Sequence, residues 1–369
     1  LKKVCIITSV HPWNDIRIFH KQAKSLAAKY EVQLHGIAPF YYKKVDGIDV
    51  FGLPSYSQRW KRPLNWLRLL GRTLKSGASV VHFHDPELIP LGIVLRCLGK
   101  KVIYDVHENY PLSILSKEWL PVYLRKFVAA VFKLVEKIAA IFFNRVVAVT
   151  PDIASNFKKG DVVVIKNYPL VIDDLIKEVE FKRNQEIHTL IFVGLMRRVR
   201  GIAELVKSLD YLSPKHPVKL QLVGSFADEE FAREIEELSR GRNVELLGQV
   251  SHREAIGLMV KATVGLLCFH PAPNHLTAMP NKMFEYMGAG LPIVASDFPH
   301  WRKIVQQNRC GVTVNPLNPA DIARGIEYLL NNPDLREEMG RNGHKAYLER
   351  YNWLSQERIL LETYEKLFD

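Results

Sequence analysis

The chain alternates, twice over, between short β-branched runs and longer segments of helical period, and few architectures satisfy that pattern. In the first half Val4–Thr8, Val32–Ile37, Val80–His84, Lys101–Asp105 and Val146–Thr150 read as brief strands. Ile16 to Lys29 carries helical periodicity between the first two. The alternation restarts near Ile187, with strands predicted at Leu190–Val193, Lys219–Val223, Glu245–Leu247, Thr263–Cys268 and Pro292–Ala295. Helices are predicted between them at Ile202–Leu212, Asp228–Arg240 and Arg253–Lys261. Short apolar strands joined by helices imply parallel sheets with crossover connections. A length of 369 residues suits two doubly wound α/β, Rossmann-like domains. The break falls at Asn167-Tyr168-Pro169, where a proline follows a strand and an irregular charged stretch begins. Sheets of this kind bind ligands beyond the carboxyl ends of their strands, so two of them place a cleft there.

Several classes are disfavoured. No Gly-x-Gly-x-x-Gly follows the first strand, which argues against a dehydrogenase. Cys5, Cys97, Cys268 and Cys310 have no paired spacing and read as reduced thiols, not a disulfide framework or metal site. The apolar run after Lys2 and Lys3 is too short for a signal peptide, and no run approaches the length of a membrane span. The net charge of +12 is uneven, since residues 1–165 carry 25 Lys and Arg against 12 Asp and Glu. A basic half points to an anionic surface such as acidic lipid or a diphosphate-bearing acceptor. Nucleic acid is not expected as a partner, because no recognised binding module accompanies the charge.

Four segments carry chemistry. PAPNHLTAMPNKMFEYMGAGLPIVASD, from Pro271 to Asp297, is a loop that runs into a helix at Asn281, stops on Gly-Ala-Gly and restarts as a strand. The amides of Asn281 and Lys282 at that helix N-terminus suit a phosphate, whereas Pro280 has no N–H to offer. Glu285, one turn further in, stands where a carboxylate accepts hydrogen bonds from ribose hydroxyls. FVGLMRRVRGIAEL brings Arg197, Arg198 and Arg200 between Gly194 and Gly201; three guanidiniums in one loop repel unless an anion is shared. VVHFHDPELIP and KVIYDVHENYP end neighbouring strands with the pairs His84-Asp85 and His107-Glu108. The first βα turn, TSVHPWNDIRIFHKQAKSL, offers Asp15 as a helix N-cap and Arg17 as a phosphate ligand. Two basic stretches, QRWKRPLNWLRLLGRTLK and YLRKFVAAVFKLVEKIAAIFF, interleave Arg62, Arg68, Arg72, Lys126 and Lys133 with Trp, Phe and Leu, as amphipathic helices on anionic bilayers do.

The stretch from Pro280 to Ser296 resembles the donor-site motif of family-four retaining glycosyltransferases, which have the GT-B fold of two Rossmann-like domains facing a central cleft. The first βα turn resembles that of bacterial members acting on cell-surface polysaccharides. Glu285 falls on the second glutamate of the motif, while Thr277 occupies the first. His107 matches the histidine that approaches the donor sugar near its reacting carbon. Arg200 occupies the position of a diphosphate-binding lysine; Leu195 stands at that of an arginine, so Arg197 or Arg198 would substitute.

The resemblance implies a retaining, metal-independent hexosyltransferase with no cofactor. It would move a sugar from a nucleoside diphosphate donor to a lipid-linked or glycan acceptor in cell-envelope polysaccharide synthesis. His107 and Arg200 would be catalytic. Arg197, Arg198, Asn281, Lys282, Glu285 and Thr277 would hold the donor, and Asp15, Arg17, His84, Asp85 and Glu108 would line the acceptor side. The expected organisation is an acceptor-side domain at 1–165, a nucleotide-sugar domain at 166–348 and a terminal helix at 349–369 crossing back to the first. A cytoplasmic location, peripheral at the inner face of the plasma membrane, follows. The alternatives are a GT-B sugar-nucleotide epimerase and a non-catalytic nucleotide-sugar-binding partner, the second motivated by Thr277.

Overall fold

A computed structural model describes residues 1–56, 58–115, 120–157, 162–171 and 186–369, without the side chains of Arg59, Asn274 and Thr277. The charged stretch after the break, at residues 172–185, lies outside them. The chain divides into two compact units: Leu1–Asn167 with Trp353–Asp369, and Tyr168–Asn352.

The first unit is built on eight strands: β1 (Lys3–Pro12), β2 (Glu31–Ile37), β3 (Tyr42–Val45), β4 (Ile48–Leu53), β5 (Val80–Phe83), β6 (Lys101–Val106), β7 (Arg145–Ala148) and β8 (Val162–Val164). They lie in the order β3-β4-β2-β1-β5-β6-β7-β8. All pairings are parallel except the β3–β4 hairpin. The helical segment after β1 opens as a π-helix at Ile16–Ala23, capped by Asp15, whose carboxylate accepts from the amides of Arg17 and Ile18. The terminal helix, Trp353–Phe368, belongs to this unit, where the indole of Trp353 donates to Ser25 and Tyr364 meets His82.

The second unit has six parallel strands: β9 (His188–Val193), β10 (Val218–Val223), β11 (Val244–Gly248), β12 (Val264–Leu267), β13 (Ile293–Ser296) and β14 (Gly311–Val314), in the order β11-β10-β9-β12-β13-β14. Its core runs through the central strands into Met283, Phe284, Tyr286 and Met287 of the Asn281–Gly288 helix. The Tyr286 hydroxyl accepts from the Val193 amide (3.0 Å) and donates to the Ile191 carbonyl (3.3 Å), tying that helix to β9. A capping box starts the His252–Lys261 helix, where Ser251 and Glu254 satisfy each other's amides.

Among the described residues four strands lie beyond those expected. The β3–β4 hairpin turns on Asp46-Gly47, both at positive φ, but its exposed Tyr42-Lys43-Lys44 run has no apolar face to announce a strand. β8 and β14 are sheet edges only partly buried, so their apolar signal is short.

Candidate functional site

In the first unit the carboxyl ends of β1, β5 and β6 bring together most of the expected acceptor-side residues. Register pairs Ile7 of β1 with Phe83 of β5, and Phe83 with Tyr104 of β6, so Thr8, His84 and Asp105 come next in line. Asp85 is buried and spent on the backbone of its neighbour. Its Oδ2 accepts from the Thr8 hydroxyl at 2.7 Å, the Ser9 amide at 2.6 Å and the Val10 amide at 3.2 Å. Its Oδ1 lies 3.3 Å from His11 Nε2. Glu87 continues the network, accepting from Ser9 Oγ (2.6 Å) and Arg62 (3.0 Å).

Arg17 is not positioned as a phosphate ligand. It is buried with Asp105, donating from Nε at 3.2 Å and from Nη2 at 3.0 and 3.1 Å, and also to the Ile165 carbonyl at 3.2 Å. Gln22 adds a further donor to Asp105 at 2.5 Å. Burial pushes the Asp105 carboxyl up, but Arg17 and the surrounding imidazoles together hold it well below the usual range. His84 Nδ1 meets His107 Nε2 at 2.8 Å; His84 is fully buried, while the His107 side chain is 14% exposed. Burial lowers His82 and lowers His84 well below the ordinary imidazole value, so both rings are neutral near pH 7. Asp15 caps its helix, and Glu108 is exposed.

Nitrogen and oxygen atoms of His82, His84 and Asp105 lie within 4.8 Å of one another, a metal-ligand grouping by distance. The chemistry is wrong for a cation. Arg17 and Gln22 already take the carboxylate's lone pairs, and the guanidinium would stand beside the metal.

The second unit gathers most of the expected donor residues at the carboxyl end of its sheet. After β9, Gly194 has φ +149°, and a Cβ there would lie 2.8 Å from Arg200 Nη1, so the glycine leaves room for that guanidinium. Gly201 has φ +69°, and its missing Cβ would overlap the Cys268 carbonyl oxygen at 2.0 Å, which fixes how closely the loop crosses β12. Arg200 lies over the Phe269 ring at 5.2 Å, and burial, with Arg197 nearby, lowers its pKa. Arg198 departs from the expectation: it is half exposed and paired with Glu230 and Glu234 of the Glu229–Leu238 helix. Those carboxylates relieve the repulsion that an anion was expected to relieve.

The Asn281–Gly288 helix starts after Pro280 with no side-chain cap. Within it Glu285 is buried and bonded to the Lys282 ammonium, with His252 Nε2 at 3.8 Å from its other oxygen. Burial pushes the Glu285 carboxyl up, but His252 and Lys282 outweigh it and hold it below the usual value. Lys282 therefore serves Glu285 with its side chain, whatever its amide does. Thr277 closes the short Pro273–Thr277 helix, and its side chain lies outside the described residues.

Sequence reasoning missed His11, Glu87, His82, Gln22, Tyr364 and His252. His11-Pro12 was visible as punctuation after β1; the others have no local signature.

The two basic stretches differ. On the Pro63–Lys75 helix, Arg68 donates to Tyr56 and Asn65, Arg72 donates to the Gly52 carbonyl at 3.0 Å, and the preceding Arg62 pairs with Glu87. Those charges serve the unit's own fold. The Val122–Ala140 helix buries Ala129, Glu136, Ala139 and Ala140 but exposes Leu124, Phe127, Val131, Leu134, Val135 and Ile138. At helical spacing these six form one apolar stripe on the side away from the core, flanked by Lys126, Lys133 and Lys137. Among the described residues no helix is long and apolar enough to cross a membrane.

Comparison with known proteins supplies the class. Residues 17–167 match the family described as Glycosyltransferase Family 4, and residues 173–346 match Glycosyl transferases group 1. With consecutive matches over both units, the chain belongs to the GT-B, family-four-like glycosyltransferases. An uncharacterized glycosyltransferase of Methanocaldococcus jannaschii is 27% identical over 44% of this chain and 41% of its own length. The capsular polysaccharide biosynthesis glycosyltransferase CapM of Staphylococcus aureus is 24% identical over 65% of each. The aligned stretch thus spans less than two thirds of either relative. Among solved structures, sucrose-phosphate synthase from Thermosynechococcus elongatus superimposes with a TM-score of 0.77 at 18% identity, covering 100% of this chain and 99% of that one. Anabaena HepE in complex with UDP gives 0.72 at 15% identity, covering 99% and 100%. Both share the fold.

Proposed function

We propose that the protein is a retaining glycosyltransferase. It takes a sugar from a nucleoside diphosphate donor and passes it to a lipid-linked or glycan acceptor of a cell-surface polysaccharide. The observation that carries this reading is Glu285, a charged carboxylate buried one turn inside an uncapped helix N-terminus. A buried carboxylate is costly unless its lone pairs are used, and Lys282 and His252 leave it acceptor capacity for two vicinal hydroxyls. The amides of Asn281 and Lys282 supply the phosphate end, and Arg200, seated against Phe269, adds charge for the leaving diphosphate. Arg197 is the second cation; Arg198, held by Glu230 and Glu234, is not needed. HepE, which shares the fold, is solved with UDP, and CapM is named for capsular polysaccharide biosynthesis; both support a nucleotide-sugar donor and a polysaccharide product.

As the acceptor hydroxyl oxygen bonds to the anomeric carbon, the carbon–oxygen bond to the diphosphate breaks; its electron pair leaves with the phosphate oxygen, which takes up the acceptor's proton and is stabilised by Arg200 and the helix amides. These groups carry the charge without a metal ion or cofactor. In the first unit Asp85 and the Arg17–Asp105 pair hold the loops in place, and His107 presents a partly exposed imidazole at the carboxyl end of that sheet. The Val122–Ala140 helix would rest this unit on the cytoplasmic face of an anionic membrane, where lipid-linked acceptors lie.

The test is incubation of pure protein with UDP-, GDP- and ADP-sugars, with and without a membrane extract. Label appearing in lipid or glycan only with extract supports transfer. Epimerised donor without extract, or no conversion with any donor, would replace this reading with an epimerase or a non-catalytic binder.

A further inference from the structure

We propose that His84 is a positioning residue that fixes His107 in its Nδ1–H tautomer, so that His107 offers a hydrogen-bond donor, not a base, to a substrate oxygen. The contact between the rings is His84 Nδ1 to His107 Nε2 at 2.8 Å, a distance that holds one proton between the nitrogens. Two neutral arrangements satisfy it. If the proton sits on His107 Nε2, then His84 must carry its own proton on Nε2. That atom is buried and has no hydrogen-bond partner, so an N–H there would be an orphaned donor. If the proton sits on His84 Nδ1, the orphan is a bare lone pair. The second arrangement is the better one.

Asp105 does not decide between the two arrangements, since Oδ1 lies 3.7 Å from His107 Nε2 and Oδ2 lies 3.6 Å from His84 Nδ1, both beyond hydrogen-bond reach. Among the groups packed against His84, Asp105 favours a cation, while burial, the Arg17 guanidinium and the His82 ring oppose it. The stacked His82 ring is 4.6 Å away, the Arg17 guanidinium balances Asp105, and the Tyr364 hydroxyl occupies His82 Nδ1. His11, tilted against His107 at 5.5 Å, leans instead on Asp85. Burial keeps His84 neutral in the same range. With Nε2 accepting, His107 carries its proton on Nδ1, on the other flank of the ring. Sugar hydroxyl and phosphate oxygens both accept such a donor, so the consequence for substrate rests on the glycosyl-transfer reading above. The tautomer itself does not.

The experiment is long-range 1H–15N correlation NMR of histidine-labelled protein at pH 7. His107 is assigned by its loss in His107→Gln. Wild type should show His107 as Nδ1–H. His84→Asn, whose side-chain amide reproduces the Nδ1–H donor, should keep that pattern, whereas His84→Leu should shift His107 toward the Nε2–H form preferred by free imidazole. Finding His107 as Nε2–H or doubly protonated in wild type, or unchanged in a folded His84→Leu, would overturn the proposal. If His84→Leu does not fold, the wild-type and His84→Asn spectra still decide it. Adding UDP-glucose separates the two ideas: a fixed Nδ1–H tautomer with no donor bound sinks the functional reading and leaves the positioning role standing.

Discussion

Removing the Asp105 carboxylate should be among the most damaging single changes in the first unit. The Arg17 side chain is 4% exposed and Asp105 fully buried, with three hydrogen bonds between them and a fourth from Gln22. In Asp105→Ala the guanidinium stays buried with only the Ile165 carbonyl as an acceptor. Stranding one member of a buried pair costs about 3–5 kcal/mol. For a unit of this size that corresponds to a melting point lower by roughly 6–20 °C. Replacing both partners, as Arg17→Met with Asp105→Leu, should recover most of the loss, because apolar groups of similar volume leave no charge behind. The pH dependence has a definite sign. A carboxyl held well below its unfolded value stabilises the fold above that unfolded value, about 4, and loses the contribution as pH falls through the folded one. The gap between wild type and Asp105→Ala should therefore narrow in acid. Calorimetric melts of the three proteins at pH 7 and pH 3 provide the check. A loss under about 1 kcal/mol in Asp105→Ala would mean that Arg17 is not a structural ion-pair partner and could again be counted as a ligand for phosphate.

Three further outcomes are expected. Arg200→Ala should lower turnover at saturating donor by roughly 100-fold, because its interaction grows as the diphosphate leaves; a change confined to KM would assign it to ground-state binding. Burial raises the Glu136 carboxyl to about 7, so its proton is retained on folding and stability falls as pH rises from about 4.5 to 7. Glu136→Gln keeps the acceptor for the Tyr104 hydroxyl and should stabilise by about 2–3 kcal/mol at pH 8 but little at pH 4, measured by urea titration. Phe127→Ser with Leu134→Ser should release the protein from phosphatidylserine vesicles in flotation assays without changing its melting point, and Arg68→Gln should not release it; equal flotation of all three would remove the Val122–Ala140 helix from the membrane.

How much of this was legible in the sequence depended on how local each feature is. The loop, helix and strand between Pro271 and Asp297 were readable because they are contiguous, and periodicity alone sets the helix at Asn281. Paired strands of β-branched residues gave both sheets for the same reason. Arg17 was misread because its partner lies 88 positions away, and His82 meets Tyr364 across 282. Neither pairing leaves a trace in either local segment. Arg198 was misread in the same way, since Glu230 and Glu234 relieve it from a separate helix. The two basic stretches have similar composition, and only burial distinguishes arginines that hold the fold from lysines flanking an exposed apolar stripe.

The central claim is that the second unit binds a nucleotide sugar through Glu285, and titration calorimetry with UDP-, GDP- and ADP-sugars tests it most directly. At least one donor should bind wild type, and Glu285→Ala, once shown to be folded, should bind it about 1.5–3 kcal/mol more weakly, roughly 10- to 100-fold in Kd. Binding of no donor by wild type, or equal affinity in the folded variant, would contradict the account.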